Sequence, residues 1–142
     1  MKKEYDEYLV KKYPKIFADR YGDMKTTAMC WGFECGSGWF HLIDNLCDSI
    51  QNYIDLNPHL EIPQVVATQV KEKFGGLSFY YNGGDRLIEG MVWLASTQSY
   101  HICEKCGSTE NLGQTEGWIS VLCETCANHP DNKMKWNKYK DI

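Results

Sequence analysis

Four cysteines near the end of the chain, Cys103, Cys106, Cys123 and Cys126, constrain its fold more than any other feature. They form two C-x2-C pairs with sixteen residues between them. Each pair brings two thiolates to one point, and the intervening segment must fold back to join them. The spacing predicts one zinc ion per chain, held tetrahedrally by four sulfurs. Such a site is coordinatively closed, so it is expected to be structural. Cys30, Cys35 and Cys47 bring the count to seven. An odd count in a chain of this length fits free thiols and a metal in a reducing compartment better than a disulfide framework.

The residues around the ligands suggest the module's form. Cys103-Glu104-Lys105-Cys106-Gly107 reads as a zinc knuckle, with glycine allowing the turn after the second ligand. Trp118, Ile119, Val121 and Leu122 read as a strand entering Cys123, and Cys126 would lie in the first turn of a short helix stopped by Pro130. Knuckle, strands and ligands at a helix start make a treble clef; two knuckles without a helix would make a zinc ribbon.

The chain has 142 residues, of which 43% are hydrophobic and 13% aromatic, enough for a real core. We read an α+β fold: N-terminal helices packed on a small antiparallel sheet, followed by the zinc module. The expected divisions are 1–100 for the body, 101–130 for the module and 131–142 for a basic tail. No apolar run approaches a membrane span, and the basic N-terminus lacks the apolar stretch of a secretory signal. A cytoplasmic protein with no membrane partner is expected. Residues 21–130 hold thirteen acidic and five basic side chains. So acidic a body disfavours sequence-independent nucleic-acid binding, which needs a basic face. The tail, with Lys133, Lys135, Lys138 and Lys140, offers either a polyanion contact or a solvated terminus, and the second is favoured.

Tyr5, Tyr8, Leu9, Lys12 and Tyr13 make a helical stripe that Pro14 interrupts. Ile16, Phe17 and Tyr21 extend an apolar face, and Gly22 ends the unit. Residues 29–40 lack a period and read as a packed loop. A second helix is predicted from about Trp39 to Leu56, where apolar residues recur at three and four. Asp85 is the expected N-cap of a third, running to about Tyr100.

Between them, residues 64–82 read as a β-hairpin with Gly75-Gly76 as its two-residue turn. That turn pairs Phe74 with Leu77, Glu72 with Phe79 and Val70 with Tyr81. One face is then apolar, with Phe74, Leu77 and Phe79 buried, and holds a single carboxylate, Glu72. Lys71, Lys73 and Tyr80 form the exposed face.

No catalytic constellation stands out. Gly36-Ser37-Gly38 lacks the spacing of a hydrolase elbow, and Cys35 with His41 would need an orienting third group that sequence does not place. His41 and His59 stand outside any two-ligand pattern, and His101 and His129 fit a supporting role beside the cysteines better than ligation. Glu72 is a candidate general base or ligand-gripping group; an ion pair or a position at the sheet edge is the alternative and is favoured. Trp31, Glu34, Ser37 and Trp39 in one loop, and Lys71, Glu72, Lys73, Gly75, Gly76 and Tyr80 in the hairpin, combine aromatic, charged and glycine residues. That mix suits a nucleotide-like or peptide-like ligand. It equally suits core aromatics and turn glycines.

The segments WGFECGSGWFHLIDNLC, QVKEKFGGLSFYYNGGD and CEKCG…GWISVLCETC, in that order, resemble a family of small proteins from phages and bacterial genomes whose activity is uncharacterised. The KEKFGGLxFY run is its distinctive part, and the resemblance spans about two-thirds of the chain. It implies a phage or prophage setting in the cytoplasm of a bacterial host, and a zinc site. Relatives often carry Asp where this chain has Ser37, so a role requiring a carboxylate there does not carry over.

The expected function is a zinc-containing, non-enzymatic binding protein acting on a host component, with inhibition of host defence favoured. Its partner would be a host protein or a nucleotide-like ligand. The alternatives are a small enzyme acting on a nucleotide or peptide through Glu72 and the glycine-rich loops, and a nucleic-acid binder using the terminal lysines. Self-association is left open.

Overall fold

A computed structural model describes residues 1–140, and Asp141 and Ile142 of the expected tail lie outside the described residues. Helix α1, Lys3–Lys12, ends where Tyr13 leaves helical geometry just before Pro14. It buries Leu9. The following turns bury Ile16 and Phe17 but leave Tyr21 outside. The carboxylate of Asp6 is gripped by Arg20, Nε to Oδ1 at 3.0 Å, and Arg20 also donates to the Cys30 carbonyl. This ties α1 to the turns that follow. After a 3-10 turn at Ala28–Trp31 comes a two-residue strand β1, Phe33–Glu34, and a second 3-10 turn, Ser37–Trp39.

Helix α2, Phe40–Leu56, follows its periodicity: Leu42, Ile43, Leu46, Cys47 and Ile50 face inward. Strands β2, Val66–Lys73, and β3, Gly76–Asn82, form the hairpin, and β1 adds in parallel to β2. Helix α3, Arg86–Ser99, is capped by Asp85, whose Oδ1 accepts from the Ile88 amide at 3.1 Å. α2 and α3 pack on each other and α3 packs on β3. One core runs from Leu9 and Trp39 through Ile43 and Val70 to Ile88.

The hairpin corrects two expectations. Lys73 pairs with Gly76, Glu72 with Leu77 and Val70 with Phe79, so the turn residues are Phe74 and Gly75. Both have positive φ, 52° and 87°, as a type I′ turn requires. Phe74 is therefore not buried; it stands at the tip, 74% exposed. Shifting the turn by one residue changes the pairing but not the faces, so Leu77 and Phe79 are buried while Lys73 and Tyr80 are exposed and Lys71 half-buried. Further along, a register shift between Ala67 and Gln69 turns Ala67 and Val65 inward, in place of Val66 and Thr68.

The metal module follows α3 directly. A knuckle at Cys103–Gly107 leads to β4, Leu112–Thr115, and β5, Val121–Cys123, and then to α4, Glu124–Ala127. Knuckle, hairpin and helix is the treble-clef order. The described part of the tail is ordered, while Lys133, Lys135, Lys138 and Lys140 stay exposed. Trp136–Lys138 forms β6, antiparallel to β4, and Trp136 Nε1 donates to the Leu122 carbonyl at 3.1 Å. The described residues thus form four α-helices and two three-stranded sheets. Among them no helix is long and apolar enough to cross a membrane.

Candidate functional site

The knuckle is shaped by its own backbone. Cys103 N–H donates to the Ser108 carbonyl and Gly107 N–H to that of Cys103, both at 2.8 Å. At the other end Cys123 caps α4, its Sγ accepting from the Cys126 amide. These turns bring the four Sγ atoms within 4.8 Å of one another, with Cys106 and Cys123 3.7 Å apart. A tetrahedron with ~2.3 Å metal–sulfur bonds has edges of about 3.8 Å. All seven cysteines are free thiols. Burial alone would raise the Cys103 thiol, but hydrogen bonds from the Cys123, Cys106 and Lys105 backbone outweigh it and hold it below its ordinary value. Burial pushes Cys106 and Cys126 up, and the neighbouring sulfurs push Cys126 up further. Four thiolates at this spacing repel one another, so a cation at their centre is what would hold all four deprotonated. The residues fit a tetrahedral metal, and the group includes neither His101 nor His129.

The glycine-rich loop is the mortise of this module. Gly38 N–H donates to the Glu104 carbonyl at 2.7 Å and Gly36 N–H to Glu104 Oε1 at 3.0 Å. A Cβ on Gly38 would run into the backbone of Cys103, Glu104 and Gly107. Trp39 is wholly buried, its Nε1 donating to the Ile102 carbonyl at 3.1 Å. Ser37 Oγ accepts from the Lys2 amide, and Glu34 Oε1 from Gln69 Nε2. Trp31 stays 63% exposed. Of the two readings of this loop, the structure places Trp39 and the glycines in the packed one.

The hairpin turn meets the module a second time. A Cβ on Gly75 would sit 2.8 Å from Ile119 Cγ2, and Gly76 is covered by the Tyr100 ring. Glu72 Oε1 accepts from the Gly75 amide at 2.7 Å, so this carboxylate caps the turn. Where Lys71–Phe74 faces Gly117–Ile119, a cleft of about 320 Å³ opens. Two aromatic rings flank it, Phe74 on the body and Trp118, 72% exposed, on the module. Buried Thr115 holds the Trp118 loop, its Oγ1 donating to the Trp118 carbonyl at 2.6 Å and accepting from the Ser120 amide. Lys73 Nζ lies 5.8 Å from the Phe74 ring centre and 3.4 Å from Tyr80 Oη. That ammonium holds the Tyr80 hydroxyl below its ordinary pKa.

No protein-family model matches the chain, and no curated protein or solved structure shows significant similarity to it.

The structure therefore gathers Lys71, Glu72 and Lys73 at one cleft, with Gly75 in the turn against Ile119, and leaves Trp31, Glu34, Ser37 and Trp39 outside its lining. Sequence reasoning missed Gly117, Trp118 and Ile119 as site residues, reading Trp118 and Ile119 as the start of a strand. The signal was present in Gly117, whose φ of 78° places a turn there. β5 begins only at Val121.

Proposed function

We propose that this chain is a zinc-stapled binding protein, without catalytic activity, whose partner occupies the cleft between the hairpin turn and the metal module. Phe74 carries this reading. A bulky residue in the left-handed region is disfavoured by about 1–2 kcal/mol, and asparagine or glycine normally stands there. Its ring reaches solvent opposite an equally exposed Trp118. Stability alone favours neither feature, and paired exposed aromatics are what a binding surface uses.

The metal is zinc, because an all-thiolate tetrahedral donor set suits that ion best among common divalent metals. Its part is to hold Gly117–Ile119 against the body; no open coordination position remains for chemistry. The resemblance to phage proteins supports a bacterial host component as the partner, a host-defence factor foremost, met in the host cytoplasm. Glu72 is engaged as a turn cap, which weakens the enzyme alternative. Three of the four tail lysines hydrogen-bond within the module, to Pro130, Glu116 and Asn111, which weakens the nucleic-acid alternative.

The test is retention of host components by the zinc-loaded chain beside Phe74→Asn and Trp118→Ala variants of matched folding. A component kept by the natural chain and lost from both variants supports the cleft. Equal retention by all three would overturn it.

A further inference from the structure

The cleft's own chemistry narrows what it takes, on the reading that it is the binding site. Its two rings come from different elements, one from a hairpin tip and one from a loop braced by Thr115, and both line the cleft. Lys71 and Lys73 share one face of β2, two residues apart, and neither forms an ion pair among the described residues. Lys73 is held beside the Phe74 ring and Tyr80 Oη, so its charge sits next to the aromatic surface. Glu72, the one acid at the cleft, is turned back onto the Gly75 amide. A flat ring beside an anionic group satisfies all of this at once.

Size limits the choice further. A volume of about 320 Å³ lies at the lower end of small-molecule sites, which run from roughly 300 to 1,000 Å³. That is room for one ring and its substituents. The thirteen acidic residues between 21 and 130 work against a long polyanion lying across the surface. We infer that the cleft binds a nucleoside phosphate, base against Phe74 and Trp118 and phosphate against Lys71 and Lys73. The nucleotide is either free or the end of a single strand. Aromatic faces accept any base, so discrimination among bases is weak.

The experiment follows the amide resonances of Lys71–Phe74 and Gly117–Ile119 in the zinc-loaded full chain. AMP, GMP, CMP and UMP are titrated separately, with adenosine, inorganic phosphate and a short single-stranded oligonucleotide as further arms. The expected result is a saturable shift confined to those two segments with the monophosphates, weaker with adenosine or phosphate alone. Phe74→Asn, and the pair Lys71→Gln with Lys73→Gln, should each weaken binding about tenfold or more. Tighter binding of the oligonucleotide at the same amides assigns the source to a strand end; equal or weaker binding assigns it to the free nucleotide. Shifts from none of the nucleotides at millimolar concentration would overturn the inference, as would shifts unaffected by these substitutions. A peptide carrying Trp and Asp then separates the two levels. If it shifts the same amides while nucleotides do not, the ligand class is wrong and the cleft stands. If host-component retention also survives Phe74→Asn and Trp118→Ala, the cleft itself is wrong.

Discussion

Gly38 and Cys103 are in backbone contact: the glycine lies so close to the first metal ligand that a side chain on it would meet the Cys103 carbonyl oxygen. The 3-10 turn that enters α2 and the knuckle that grips the metal are therefore one joint, sealed by the Gly38 to Glu104 hydrogen bond and the Trp39 to Ile102 hydrogen bond. Body and module unfold together if this joint carries their interface.

Gly38→Ala tests that joint. The added carbon meets backbone on three sides, which no rotamer change relieves. The expected cost is about 2–3 kcal/mol, read as a lower midpoint in denaturant for the zinc-loaded protein. A midpoint equal to that of the natural chain would show that the joint gives way freely.

Asp44 supports the N-terminal unit from α2. Burial alone would raise its carboxyl, but hydrogen bonds from the Tyr13 hydroxyl and the Lys12 ammonium outweigh this and hold it below its ordinary value. A carboxyl lowered by folding stabilises the protein above its unfolded pKa, and the gain fades as pH falls through the folded value. Asp44→Ala should cost about 2 kcal/mol at pH 6. The gap from the natural chain should narrow as pH falls below about 4. Metal loss in acid affects both proteins, so the difference in denaturant midpoints is the readout. A gap that stays constant down to pH 2 would mean that Asp44 acts through packing alone.

Periodic and spaced features were legible from residues alone. α2 follows its stripe, Asp85 caps α3, and the four sulfurs converge as the C-x2-C pairs require. The hairpin turn was not legible. Gly75-Gly76 is the stronger local signal, yet Gly76 is needed inside the strand, because any side chain there meets Tyr100. The Leu77 amide is meanwhile fixed to Ser99 Oγ at 2.8 Å. Those partners lie over twenty residues away, so a local reading places the turn one residue late and buries Phe74. β1 and β6 are two and three residues long, below any periodicity, and exist because β2 and β4 offer them edges. Trp118 was hidden similarly: its apolar neighbours suggest a strand that Thr115 and Gly117 instead bend into a loop.

Metal analysis of the purified chain should give one zinc per protein. Its removal by a strong chelator should unfold the module, since structural zinc contributes on the order of 10 kcal/mol in small modules. Trp136, half-buried against β5, should report this as a change in fluorescence. Cys126→Ala should behave like the chelated protein. A zinc content near zero, with disulfides among Cys103, Cys106, Cys123 and Cys126 found by mass spectrometry, would refute the metal site.

Phe74→Asn should separate stability from binding. Asparagine accepts the left-handed backbone that phenylalanine adopts here at φ 52°. The lost ring is 74% exposed, so little burial is forfeited. Folding stability is therefore expected to rise by about 1 kcal/mol, measured as a higher denaturant midpoint at an unchanged slope. Binding should fall at the same time, because half of the aromatic surface of the cleft is gone. A variant that loses stability instead would show that Phe74 packs against Ile119 and Trp118 to close the joint, and its exposure would then carry no functional meaning. A variant that gains stability and keeps its partner would move the site away from the turn.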